Sequence, residues 1–188
     1  MSRPAPLLLR HRGFLALTLA QFFETLNDSA FKTLVTFWAL AKFGAEQGGR
    51  GAALVSGLFI LPFLLFSTYA GRLADARPKR SVAIAMKVYE IAIMALGGWA
   101  LRANSFVGLL GVVFLSGLHS TFFGPAKYGL LPEILEPRDL SNGNGIVQLT
   151  SFVAIIAGAP LAARLMKNGD ALAGPAGGIF MAVALAGF

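Results

Sequence analysis

The segment AQFFETLNDSAFKTL (20–34) sets Glu24, Asp28 and Lys32 four residues apart inside an otherwise apolar run, with Asn27 beside them. On a helix each residue turns about 100°, so the three charges fall within about 80° of one another. Gln21, Thr25 and Asn27 widen them into one polar stripe, opposite Leu19, Phe22, Leu26 and Ala30. At mid-bilayer a charged side chain costs about 2.5–3.5 kcal/mol on insertion scales, so such groups face protein or a watery cavity and mark a pathway. Counted from Phe14 at about 1.5 Å per residue, Glu24 lies near mid-membrane, Asp28 somewhat beyond it and Lys32 closer to the outer surface. Asp28 is the first candidate for translocation chemistry, with Glu24 and Asn27 beside it. Lys32 divides between pairing along the helix and reaching for the surface.

A second set stands in AMKVYEIA (85–92), where Lys87 and Glu90 are three apart. Lys87 is within snorkelling reach of the nearer surface, whereas Glu90 is too deep and too short to escape. The spans hold three carboxylates (Glu24, Asp28, Glu90) against two ammoniums (Lys32, Lys87). Either one carboxyl carries a proton, or its partner lies elsewhere: in helices outside this sequence, or in the amine of a substrate.

These residues need elements that hold them in a bilayer. The sequence has 188 residues, 56% hydrophobic and 13% charged, with mean hydropathy +0.68. Soluble domains carry about 25% charge. The apolar residues come in blocks, and AALVSGLFILPFLLFSTYA (52–70) runs without a charge for the length a helix needs to cross a bilayer. Six blocks, about 14–40, 52–71, 82–101, 105–124, 145–164 and 174–188, predict an all-α polytopic membrane bundle occupying the whole of 1–188. Within lipid the backbone must satisfy itself, which makes these blocks helices. The last block is still apolar at Phe188, so the sequence reads as a piece that ends in or at its sixth helix.

A net charge of +7 suggests nucleic acid only until the charges are placed. Almost all of them fall in the gaps between blocks, nine of the Lys and Arg on one side and five on the other, with Lys32 and Lys87 within spans. By the positive-inside rule the richer side, with the amino terminus, is cytoplasmic. No nucleic-acid partner is expected. The basic start and the ALA at 39–41 imitate a secretory signal, but the apolar run is longer than a signal core and carries internal charge. Without cysteine there is no disulfide framework and no thiolate metal site. No metal site and no cofactor is assigned.

Two connections carry motifs. GRLADARPKR (71–80) has a small residue where two helices can touch, an acid four positions on, then a basic cluster. It resembles the signature G-x-L-x-D-R-x-G-R-[KR] of the major facilitator superfamily at Gly71, Leu73, Asp75, Lys79 and Arg80. It departs at Ala76 and Pro78, where that family has Arg and Gly. The resemblance implies a cytoplasmic latch between two halves of a transporter, with Arg77 standing in for the arginine missing at 76. The second connection is STFFGPAKYGLLPEILEPRDLSNGNG (120–145). Here Pro125, Pro132 and Pro137 are expected to break helix continuity, Ser141 or Asn142 to cap the next helix, and Gly143 and Gly145 to make a tight turn. Lys127 and Tyr128 fall at headgroup depth, where an ammonium beside an aromatic suits either phosphate contact or plain anchoring.

FFGPAKYGLLPE and LSNGNG, with AQF and LND in the first helix, resemble the bacterial lysophospholipid transporter family of the major facilitator superfamily. The likeness is strongest to the form fused to an acyltransferase and acyl-carrier-protein synthetase, and covers about 14–165. It implies the six-helix amino-terminal half of a twelve-helix transporter in the bacterial cytoplasmic (inner) membrane, multi-pass, whose partner is its own carboxy-terminal six-helix half. It implies lysophospholipid moved from outer to inner leaflet for reacylation. Residue by residue it points to Asp28, Pro125, Lys127, Tyr128 and Gly129. The second reading is a membrane domain of a bifunctional acyltransferase. It needs H-x-x-x-x-D, but the fifth residue after His11 is Ala16 and after His119 is Gly124. There is also no G-x-S-x-G elbow and no G-x-x-x-x-G-K-[ST] loop. Any such activity belongs to a region beyond Phe188. A third reading keeps the fold and exchanges a drug or metabolite for protons, with Asp28 or Glu90 as the proton site.

Overall fold

The computed structural model describes residues 8–167, 170–171 and 173–188. Arg3, part of the charge asymmetry above, lies outside them. The described chain is almost wholly helical: α1 (Arg12–Ala76), α2 (Lys79–Arg102), α3 (Phe106–Ile134), α4 (Leu140–Leu165) and α5 (Ala173–Ala186). A 3₁₀ turn at Pro137–Asp139 leads into α4, and a two-residue antiparallel ladder, Met166–Lys167 with Asp170–Ala171, separates α4 from α5. Four of the helices are long and apolar enough to cross a membrane, while Pro175–Ala186 is a shorter apolar stretch.

The six expected blocks are therefore five helices, because the first two share α1. Its 65 residues would reach about 98 Å if straight, some three times a hydrocarbon core. They do not run straight. Gly44 has non-helical angles, φ 74° and ψ −179°, and joins two helical stretches. The chain reverses there: a Cβ on Gly48 would stand 2.6 Å from the Leu40 Cα, and one on Gly51 would stand 3.1 Å from the Ala39 Cβ. A left-handed φ is available to glycine without a Cβ penalty, so one residue does the work expected of a loop at 41–51.

The proline expectation also needs correction. Pro125 and Pro132 lie inside α3, which continues to Ile134, and only Pro137 marks a break. A proline removes one backbone hydrogen bond, and in a packed bundle neighbouring groups compensate. Gly143 and Gly145 likewise lie within α4 and form no tight turn. Gly143 leaves room for Leu135, whose Cδ1 would be 2.3 Å from an added Cβ. The helix starts behind Asp139 rather than Ser141 or Asn142. α3 is capped at its start, the Ser105 hydroxyl accepting from the Gly108 amide at 3.1 Å.

The first half of α1 is the central element. Its core residues Ala30, Phe31, Leu34, Val35 and Trp38 pack with Ile93, Met94, Val112, Val113 and Phe180 from α2, α3 and α5. Close approach is set by glycines. A Cβ on Gly117 of α3 would meet the Phe59 carbonyl at 2.2 Å, and one on Gly158 of α4 would meet the Ser29 Oγ at 2.5 Å. The outward surface is apolar, with Leu64, Ile156 and Val107 each more than 70% exposed. Water would penalise such a surface; a bilayer solvates it.

Candidate functional site

The polar stripe of α1 divides between two clusters. Asn27 and Glu90 belong to the first, on the α2–α5 side. The Glu90 Oε2 accepts from the Lys87 ammonium at 2.5 Å, and its Oε1 accepts from the Asn27 amide at 3.2 Å. Asn27 also donates to the Phe180 carbonyl at 3.1 Å, and Lys87 to the Ala20 carbonyl at 3.4 Å. Both charged side chains are buried, 6% and 1% exposed. Lys87 thus pairs inward instead of snorkelling.

The second cluster lines a cavity of about 390 Å³ between both halves of α1, α3 and α4. Glu24, Asp28 and Lys32 enter it from the first half of α1, Phe59 and Phe63 from the second, Ser120, Lys127 and Tyr128 from α3, and Gln148 and Ser151 from α4. The Ser120 hydroxyl bridges the two carboxylates, 3.0 Å from the Glu24 Oε1 and in close contact with the Asp28 Oδ2. The two Glu24 oxygens face different partners. Oε1 looks toward Ser120 and the His119 Nδ1, the latter 3.9 Å away. Oε2 accepts from the Thr25 hydroxyl at 3.1 Å and stands 3.9 Å from the Lys127 Nζ.

Lys127 is held over aromatic faces, 5.7 Å from the Phe123 ring centroid and 5.5 Å from that of Tyr128. Lys32 lies 4.7 Å from the Phe59 centroid, a cation–π contact in place of the ion pair along α1. The Tyr128 hydroxyl accepts from the Gln148 amide at 2.9 Å, tying α3 to α4 at the cavity's rim. Deeper, Ser151 donates to the Gln21 Oε1 at 2.8 Å while the Gln21 amide donates to Thr150 at 2.6 Å, which fixes α4 against α1.

The two motif segments meet. The Lys79 stem packs on Gly129, where an added Cβ would be 2.7 Å from its Cδ, and the Lys79 Nζ pairs with Glu133 at 3.3 Å. Gly71, expected at a helix contact, has no atom within 4 Å of an added Cβ. Its contact surface is open because no described helix covers it. Asp75, Arg77 and Arg80 are exposed and Pro125 lies within α3.

Of the residues singled out from sequence, the structure brings Glu24, Asp28, Lys127 and Tyr128 to one cavity, while Asn27 and Glu90 turn away from it. Sequence reading missed Ser120, and it weighed His119 as the histidine of an acyltransferase motif. His119 is packed, stacked on Phe123 at 5.6 Å and Tyr89 at 6.3 Å, yet it also stands behind Glu24.

A bundle of membrane-spanning helices with a polar cavity beside its central helix defines an integral membrane protein of the transporter type. The sequence profile of the Major Facilitator Superfamily matches residues 17–188, and the chain belongs to that family. It is 29% identical over 148 residues to the lysophospholipid transporter LplT of Enterobacter sp. (strain 638), covering 78% of this chain and 35% of that protein. The LplT proteins of Photorhabdus laumondii and Salmonella paratyphi A are 27% and 28% identical, each over 78% of this chain and about a third of their own length. The chain thus spans about a third of the curated relatives it matches. No solved structure matches it.

Proposed function

We propose that this chain is the amino-terminal half of a transporter that moves lysophospholipid from the outer to the inner leaflet of the bacterial cytoplasmic membrane. Divided at Gly44, α1 supplies two spans and the half has six, with the amino terminus cytoplasmic. A carboxy-terminal half closes the cavity and covers Gly71 and Asp75.

The observation that carries this reading is the cavity's mixed lining. Lys127 and Lys32, both beside aromatic rings, offer two cations to a headgroup phosphate. Glu24 and Asp28 offset those charges when no lipid is bound. Phe59 and Phe63 continue the same wall into the apolar flank of α1, where a single acyl chain can remain in lipid. A charged headgroup crossing hydrocarbon needs a polar lining, and the tail needs a side opening. The likeness to LplT proteins supports this substrate class.

The test uses the full-length gene in spheroplasts with labelled lysophospholipid in the outer leaflet. Cells expressing the protein should transfer label inward, and Lys127→Ala at normal expression should slow transfer about tenfold. Transfer equal to that of cells lacking the gene would refute the lipid assignment.

A further inference from the structure

Asp28 is buried and faces the cavity, yet among the described residues no cation lies within 4.0 Å of its carboxylate. Ser120 is its hydrogen-bond partner. Behind Glu24 stands His119, 1% exposed, with neither ring nitrogen in a hydrogen bond; the nearby Met86 carbonyl does not complete one. A buried imidazole without a partner costs free energy unless something else takes its lone pair. Its Nδ1 points to the same Glu24 oxygen that faces Ser120. One ligand atom each from Glu24, Asp28 and His119 lies within 4.8 Å of the others.

We propose that Glu24, Asp28 and His119 bind a divalent first-row transition-metal ion whose open coordination position faces the cavity and takes a headgroup phosphate oxygen. Two carboxylate oxygens and one imidazole nitrogen are a borderline donor set, suited to Mn²⁺ or Zn²⁺ rather than to an alkali ion. Three protein ligands with a free position are the arrangement by which metals hold a substrate. Ligands at about 2.1 Å from one ion in a tetrahedral array are about 3.4 Å apart, so binding draws the three closer by up to about 1.4 Å. Lys127 does not obstruct the site, since it faces the other Glu24 oxygen. With the ion bound, the acidic pair is neutralised and Lys127 and Lys32 turn the cavity positive, which favours a phosphate.

The phosphate step rests on the lipid reading above; metal binding does not, and is measured without lipid. Full-length protein, purified in detergent and stripped with chelator, is titrated with Mn²⁺ and followed by electron paramagnetic resonance. One Mn²⁺ should bind per chain and carry ¹⁴N coupling from imidazole. His119→Gln should lose that coupling and bind at least tenfold more weakly, while the remote Arg50→Ala binds as wild type. Adding lysophospholipid should then produce ³¹P coupling to the bound ion. Absence of bound Mn²⁺ in the wild type, or ¹⁴N coupling that persists in His119→Gln, would overturn the site. Bound Mn²⁺ without ³¹P coupling would overturn the phosphate step alone. Failure of lipid transfer in spheroplasts would overturn the lipid reading and leave the metal site standing.

Discussion

Helix α1 carries two polar clusters a few residues apart, and they differ in how completely their charges are matched. On the α2–α5 side, Glu90 meets Lys87 at 2.5 Å and Asn27 at 3.2 Å, so both its oxygens are engaged. On the α3–α4 side, Glu24 has Lys127 only at 3.9 Å, Asp28 has a hydroxyl, and both border a cavity. A matched pair has little left to offer a ligand, whereas an unmatched one beside open space does. Carboxylates on two neighbouring helices can therefore be fully paired or left facing a cavity, and the difference lies in what the surrounding helices bring to them.

The largest effect should come from the matched cluster. Removing one partner of a buried pair costs about 3–5 kcal/mol, while removing both is often near neutral. Lys87→Met should accordingly lower stability by about that amount in detergent unfolding, and Lys87→Met with Glu90→Gln should recover most of it. If the double variant were as unstable as the single one, Glu90 would have a role outside its pair. Next comes Gly117→Ala, whose new Cβ would press on the Phe59 carbonyl. Overpacking costs about 1–3 kcal/mol, and because Phe59 lines the cavity, lipid transfer should fall without any change of charge.

Lys127→Ala should weaken lipid affinity about tenfold, or about 1.4 kcal/mol, with Lys127→Arg recovering part of it. An affinity unchanged in both would move the phosphate contact to Lys32. The smallest effect belongs to Lys79→Ala. The Lys79–Glu133 pair is partly exposed, and such pairs contribute about 0–1 kcal/mol, so unfolding should shift by less than 1 kcal/mol.

The membrane class and the polar stripe were legible because each rests on a local pattern: apolar blocks of spanning length, and charges at helical spacing. The division of the stripe was not. Asn27 lies one residue from Asp28, about 100° away on the helix wheel, and that rotation alone sends it to Glu90 and α5. Ser120 and His119 are weakly marked in sequence, since they meet Glu24 across 96 and 95 positions of chain. A polar pair within an apolar segment, Ser120 beside His119, was the one available signal. Proline and glycine misled for a shared reason. Pro125, Pro132, Gly143 and Gly145 are helix breakers in water, but packing in a bundle overrides that preference. Gly44, unremarked in sequence, makes the reversal.

The central claim, that the unmatched cluster and not the matched one carries lipid, is tested most directly by one comparison. Labelled lysophospholipid transfer is measured in spheroplasts expressing full-length Asp28→Asn or the Lys87→Met and Glu90→Gln double variant, at matched membrane levels. Asp28→Asn should lose at least tenfold in rate while the double variant keeps at least about half. Wild-type transfer by Asp28→Asn, or loss confined to the double variant, would contradict it.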